Sequence, residues 1–343
     1  MFLDQFMLYN EHMRNKIGAL STEWAVLTHL DNNARASFAE IGRLIDTSKE
    51  NVSNATHRLE QSGIITKYYS VINVTHLGFT PYVVYAQLQA ISPKERSATV
   101  NRICSYPEVY WVSTMGGKYD ICFGILAQSA QEFSDICLKI QRALADKFSR
   151  ISIHTRLQTI QFPRTYLSKK APSRTKLTAK KLLTFGSGAL IKTLEAREKK
   201  ILNLLSKNAR ISLVDLSNQI GIPRATTTRI LANLEQQNII SGYAANIDVT
   251  VLGYYIYRLL IKTRSKSPEV TLKLYNFAID HDNIVYIDWG FGEWDVELTC
   301  EVQTQIELQD ILSKIQTGFT HEIDTVELIS VFVDNVKFQF SIS

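Results

Sequence analysis

Apolar positions along this chain change their spacing in a fixed order, and the chain runs through that order twice. Over 23–30, Val26, Leu27 and Leu30 share one helical face. Ser37 with Glu40 three residues on predicts a capped helix start, behind which Phe38, Ile41, Leu44 and Ile45 recur at helical spacing. After a break at Asp46-Thr47-Ser48, a third helix is predicted over 49–61, with Val52, Ala55, Thr56 and Leu59 inward and Gly63 as its C-cap. The β-rich stretch 64–74 is expected to form a wing hairpin. Strands are then predicted near 81–90, 109–115, 119–127 and 151–161, with helices over 94–104 and 130–144. The order is βαββαβ, a ferredoxin-like split βαβ.

The second run repeats the first at a constant offset. Asn33-Ala34-Arg35 returns as Asn208-Ala209-Arg210, a shift of 175 that also carries Leu59-Glu60-Gln61 to Leu234-Glu235-Gln236 and Tyr68 to Tyr243. Gly117 and Asp120 reappear as Gly292 and Asp295, and Lys139-Ile140-Gln141 as Lys314-Ile315-Gln316. Chance similarity does not stay in register for so long, so the chain is a tandem duplication. In the second copy Ser212 and Asp215 take the capping places, Leu213, Leu216 and Ile220 form the inner face, Gly221-Ile222-Pro223 makes the turn, and the third helix is predicted over 224–236. Strands follow near 254–263, 284–289, 294–302 and 323–333. The predicted class is α+β: two tandem copies of a winged helix-turn-helix plus a βαββαβ domain. The expected limits are an N-terminal helix over 1–19, winged helix-turn-helix units over 20–78 and 195–253, βαββαβ domains over 79–163 and 254–343, and a linker over 164–194.

Composition fits a globular chain: 343 residues, 45% hydrophobic and 21% charged, with no run of 18 uninterrupted apolar residues. The first ten residues lack a basic region and carry Asp4, which argues against a signal peptide and for a cytoplasmic protein. Cys104, Cys122, Cys137 and Cys300 show no CxxC spacing and are expected as free thiols. Neither a metal-ligand spacing nor a Ser/His/Asp or Cys/His arrangement is present, and no cofactor or metal is expected. Net charge is only +5, yet Arg164, Lys169, Lys170, Arg174, Lys176, Lys180, Lys181 and Lys192 fall in one acid-free stretch. That stretch reads either as a solvated linker or as a strap against phosphates.

The chemistry lies on two surfaces. A short helix, a tight turn and a third helix with small polar and basic side chains suit a DNA major groove. The candidate DNA contacts are Ser48, Lys49, Asn51, Ser53, Asn54, His57 and Arg58 in the first copy, and Arg224, Thr226, Thr227, Thr228 and Arg229 in the second. Glu50 opposes phosphate in the first copy, so the second is expected to be the stronger reader. The other surface is the turn between the middle strands, Gly116, Gly117, Tyr119 and Asp120, and its twin Gly290, Gly292, Trp294 and Asp295. Two glycines beside an aromatic and a carboxylate suit a turn that holds a small anion and meets an amine, and equally suit a plain hairpin.

These residues together resemble the Lrp/AsnC family, the feast/famine regulators. The resemblance is carried by Asn33-Ala34-Arg35, Leu59-Glu60…Gly63-Ile64-Ile65…Tyr68…Leu77-Gly78, Pro107-Glu108-Val109 and Gly117…Tyr119-Asp120, and by their second-copy counterparts. It implies sequence-specific binding of double-stranded DNA, assembly through the βαββαβ domains, and a small effector, commonly an amino acid, near the Gly/Asp turn. It departs from the family where Ala55 and Ile230 stand in place of a third-helix Arg, although Arg229 is adjacent, and where Phe291 and Glu293 alter the second turn. One chain is expected to mimic a homodimer, its two βαββαβ domains packed sheet to sheet, with further homo-oligomers and no membrane partner. Siroheme decarboxylases resemble the same architecture and make an enzyme the alternative. The seven histidines do not cluster, and His154 is the one placed on a strand to reach a pocket. A module for pairing without DNA is the third reading.

Overall fold

The computed structural model describes residues 21–90, 92–144, 147–167, 182–186 and 191–338. The expected N-terminal helix lies outside them, as do Lys169, Lys170, Arg174, Lys176, Lys180 and Lys181 of the basic stretch.

Each copy opens with three helices: α1 (Ser21–Asn32), α2 (Phe38–Ile45) and α3 (Lys49–Gln61) in the first, and α6 (Ala196–Lys207), α7 (Leu213–Ile220) and α8 (Arg224–Gln236) in the second. Local chemistry sets their ends. The Ser37 hydroxyl accepts from the Glu40 amide at 3.1 Å, and Ser48 accepts from the Asn51 amide at the same distance. Gly221, at φ +80°, closes α7 as a left-handed cap. Leu44, placed inward by its spacing, is 62% exposed, because the buried face of this two-turn helix is Ile41 and Gly42.

The strand after the third helix does not fold back into a wing hairpin. Strand β1 (Ile65–Ile72) instead pairs antiparallel with β7 (Ile240–Ile247) of the other copy, with Tyr69 opposite Ala244. Between Gly63 and Asn73 the first copy has no Gly, Pro, Asn or Asp with which to reverse direction, so its backbone groups find partners across the repeat. Each strand also packs on the other copy's helices: Ala245 and Ile247 join Val26, Leu27 and Leu30, while Ile72 joins Ile201, Leu202 and Leu205.

The βαββαβ halves follow: β2 (Thr80–Leu88), α4 (Pro93–Cys104), β3 (Val109–Gly116), β4 (Ile121–Ala127), α5 (Ala130–Leu144) and β5 (Phe148–Gln161), then β8 (Tyr255–Thr263), α9 (Pro268–Asp280), β9 (Ile284–Phe291), β10 (Val296–Val302), α10 (Gln305–Gly318) and β11 (Ile323–Phe338). Sheet to sheet was the expected packing; the halves join edge to edge instead. The order β2-β4-β3-β11-β8-β10-β9-β5 returns to β2 through a β2–β5 pairing, so hydrogen bonding closes a ring of eight antiparallel strands. Length explains the closure. The 14 residues of β5 pair first with β2 and then with β9 of the other copy, and the 16 of β11 pair first with β8 and then with β3. A short strand, β6 (Leu183–Gly186), lies beside the end of β5.

Alternation along the strands sorts the side chains. One face of each half packs under its helices, as Leu259 and Ile261 do beneath Leu274 and Ile311, or Phe123 and Ile125 beneath Phe133 and Ile136. The other face points into the ring and carries Tyr85, Trp111, Tyr119 and Trp294 together with buried charges.

Candidate nucleic-acid interface and barrel interior

The third helices occupy 49–61 and 224–236, as the spacing predicts. In the first, Ser48, Lys49, Asn51, Asn54 and His57 are exposed and Ser53 is half-buried. Arg58 is exposed but tied down. Its Nε donates to the Glu23 carboxylate at 2.7 Å, fastening α3 to α1. In the second, Arg224, Thr228 and Arg229 are exposed and Thr226 is half-buried. Thr227 is a correction: it is 0% exposed and its hydroxyl donates to the Pro223 carbonyl at 3.3 Å, so it cannot touch a ligand of this surface. The signal was present, since Thr227 stands four and seven residues before buried Leu231 and Leu234.

Arg164 is a second correction to the basic strap. Its guanidinium is buried, donating to both Glu301 oxygens at 2.8 Å and to Asp31 at 2.7 Å. Burial works against the charge, and Glu301 and Asp31 reverse that, holding the group well above its ordinary value. The contact joins the end of α1 in one copy to β10 in the other. Lys192 pairs with Glu198 at 2.7 Å.

The two turns are fastened by their own carboxylates. Asp120 accepts from the Leu88 amide at 2.8 Å and pairs with Arg96 at 3.0 Å. Asp295 accepts from the amide and hydroxyl of Thr263, both at 3.0 Å, and pairs with Lys266 at 2.7 Å. The aromatic candidates for effector contact face inward: Tyr119 is 0% and Trp294 3% exposed, so neither ring stands open at the turn. Trp294 stacks on His154 at 5.1 Å between centroids. Strand β5 explains the second turn's glycines, because a Cβ at Gly290 would lie 2.3 Å from both His154 Nε2 and the Thr155 carbonyl, and one at Gly292 would lie 2.8 Å from the Ile153 carbonyl. His154 is fully buried, neither ring nitrogen has a hydrogen bond among the described residues, and burial lowers it to about 4.

Sequence reasoning missed the charges inside the ring. Arg258 lies 3.0 Å from Asp334 and 3.4 Å from Glu297, while Arg156 lies 3.1 Å from Asp288 and 3.5 Å from Glu297. Tyr85 donates to Glu297, Thr159 to Asp288 and Ser113 to Asp334. Burial raises Glu297, but Arg258 and Arg156 hold it below its usual range. The available signal was strand alternation: Glu297, Thr299 and Glu301 recur at every second position of an otherwise apolar strand.

Comparison with known proteins agrees with this layout. The winged helix-turn-helix DNA-binding family model matches residues 194–241, and the MarR family model matches 21–71. The HTH-type transcriptional regulator Ptr1 of Methanocaldococcus jannaschii is 35% identical over 102 residues, 29% of this chain and 68% of its own length. The HTH-type transcriptional regulator Rv2324 of Mycobacterium tuberculosis is 31% identical over 128 residues, 36% of this chain and 83% of its own. The leucine-responsive regulatory protein of Rhizobium meliloti is 28% identical over 134 residues, 39% and 85% of the two chains. Each of these alignments is shorter than one copy of the repeat. Among solved structures, the siroheme decarboxylase NirDL spans 93% of this chain and 94% of its own with a TM-score of 0.61 and 9% identity, a likeness of fold alone. The matched family models and relatives define a helix-turn-helix transcriptional regulator. The chain belongs to the Lrp/AsnC family, with both helix-turn-helix units and both βαββαβ domains in one polypeptide.

Proposed function

We propose that this regulator reads double-stranded DNA chiefly through its second helix-turn-helix unit, acts in the cytoplasm, and responds to a small effector. The observation that carries the reading is a charge difference. Residues 20–65 hold six carboxylates and four Lys/Arg, a net charge of −2, whereas the equivalent 195–240 hold four carboxylates and seven Lys/Arg, a net of +3. A groove-facing unit must approach phosphates, so the second suits that surface better. Arg224 and Arg229 stand exposed on its third helix, while Arg58 of the first is already paired with Glu23.

Further assembly has a physical basis in two matched apolar patches. Ile153 and Leu157 are 43% and 44% exposed, and their equivalents Leu328 and Phe332 are 38% and 61% exposed. Chain symmetry presents them in pairs, which supports association of chains through the outer faces of β5 and β11.

The test is a fluorescence titration of the full chain against random-sequence duplex DNA at several salt concentrations. Binding whose affinity falls steeply with salt supports the reading. Absence of binding at low salt defeats it.

A further inference from the structure

Between the ring of strands and the β1/β7 ribbon lies a cavity of about 140 Å³. One wall comes from the ring, with Arg156, Arg258, Asp288 and Glu297; the other comes from β1, with Tyr69 and Ser70, and from Phe185 of β6. An eight-stranded ring is wide enough to hold one small ligand, and this volume exceeds that of a single water several times over.

The lining carries a surplus of negative charge. Among the described residues it presents three carboxylates, Asp288, Glu297 and Asp334, against two guanidiniums, Arg156 and Arg258. Burial pushes the Asp288 carboxyl up to about 6, despite Arg156 beside it. An independent observation points the same way. The Gln161 side-chain oxygen Oε1 and the Ser70 hydroxyl belong to residues that line the cavity and are 3% and 5% exposed, and neither has a hydrogen bond among the described residues. Buried acceptors without donors are costly, and with two guanidiniums against three acids one carboxylate is left over, the partly exposed Asp334 standing at the cavity wall. A guest that brings N–H donors and positive charge answers both. The aromatic rings of Tyr69 and Phe185 suit an apolar body and a nearby cation, whereas the Trp111 ring already meets Arg258 at 4.5 Å.

We propose that this cavity is a binding site for a small organic cation, a primary ammonium on a short apolar body. The site touches the ring on one side and, through β1, the ribbon that carries both helix-turn-helix units on the other. It therefore deepens the effector reading above and rests on it only for its consequence. A ligand here would bear on the placement of the DNA-reading half.

The test is calorimetric titration of the full chain without DNA, so that its failure leaves the DNA reading standing. The probes are isoamylamine and, as the matched anion, isovalerate. The expected result is saturable binding of the amine at least about tenfold tighter than that of isovalerate. Near pH 6, binding should also release protons as Asp288 is held ionised, seen as a heat that changes with the buffer's ionisation enthalpy. Gln161→Met removes an acceptor that lies outside every ion pair described here, and should weaken the amine by roughly three- to tenfold, with circular dichroism confirming the fold. The inference is overturned by isovalerate binding as tightly as the amine, by no saturable amine binding up to about 10 mM, or by a folded Gln161→Met protein that binds as the parent does.

Discussion

Arg35 and Arg210 each reach across to the other's copy and make the same contact. Arg35 Nη1 donates to the carbonyls of Ala209 and Ile211 at 2.5 and 3.3 Å, and Arg210 Nη1 donates to those of Ala34 and Ala36 at 2.5 and 3.3 Å. Arg35 lies over the Tyr243 ring and Arg210 over Tyr68, at 5.2 and 5.4 Å. Those tyrosines donate to Glu235 and Glu60. The repeated Asn-Ala-Arg is thus a reciprocal latch between copies, and burial by the partner unit lowers Arg210 from its ordinary value.

Replacing either arginine by Met should cost about 2 kcal/mol, the sum expected from charged hydrogen bonds to carbonyls and a partly buried cation–π contact. Urea denaturation of Arg35→Met and Arg210→Met measures it. Losses that differ by more than about 1 kcal/mol would show that the latch bears load on one side only.

On DNA, Arg224→Ala or Arg229→Ala should weaken binding more than Lys49→Ala, and should lower the salt slope by about one. Titration at matched salt decides this. Equal losses from all three would mean that both units share the contact.

Breaking the Arg164 network should be the most damaging single change. Arg164→Met leaves Asp31 and Glu301 buried without their guanidinium, a situation that costs about 3–5 kcal/mol. Thermal unfolding of the variant tests it. A loss below about 1 kcal/mol would mean that water reaches both carboxylates.

The pH dependence of stability carries the mark of His154. Its folded value, near 4, lies below the ordinary 6.5, so the unfolded chain takes up the proton first as pH falls. Stability from this group is complete above pH 6.5 and is lost progressively toward pH 4, by on the order of 3 kcal/mol. Asp288 acts oppositely: its raised value makes the folded state hold a proton longer, so its contribution fades as pH rises from 3.8 to about 6. His154→Phe should therefore gain on the parent as pH drops through that window, measured by denaturation at pH 7, 6, 5 and 4. A constant difference would contradict the assignment.

What the sequence made legible was local. Both third helices ran to the residue, because Ser48, Pro223 and the periodic Val52, Leu59, Leu231 and Leu234 lie within a few turns of one another. What it hid was set at long range. Nothing in Ile65–Ile72 says that its partner is 175 residues away rather than in its own hairpin. Gly290 looked like a ligand-binding turn residue, and its cause, His154, stands on a strand of the other copy. Arg164 looked like one more base in a basic stretch, until Asp31 and Glu301 converged on it from two different units.

The ring of strands closed by β5 and β11 has a consequence for how the two copies diverge. Two separate polypeptides that pair through such edges form like and unlike pairs in competition, and a specialised half is diluted by its own homodimers. Joined in one chain, each half meets its complement at the high local concentration that tethering supplies, whatever the amount of protein made. One reading head can then be acidic and the other basic without any device to enforce their pairing, so the fusion itself acts as the specificity element of a heterodimer.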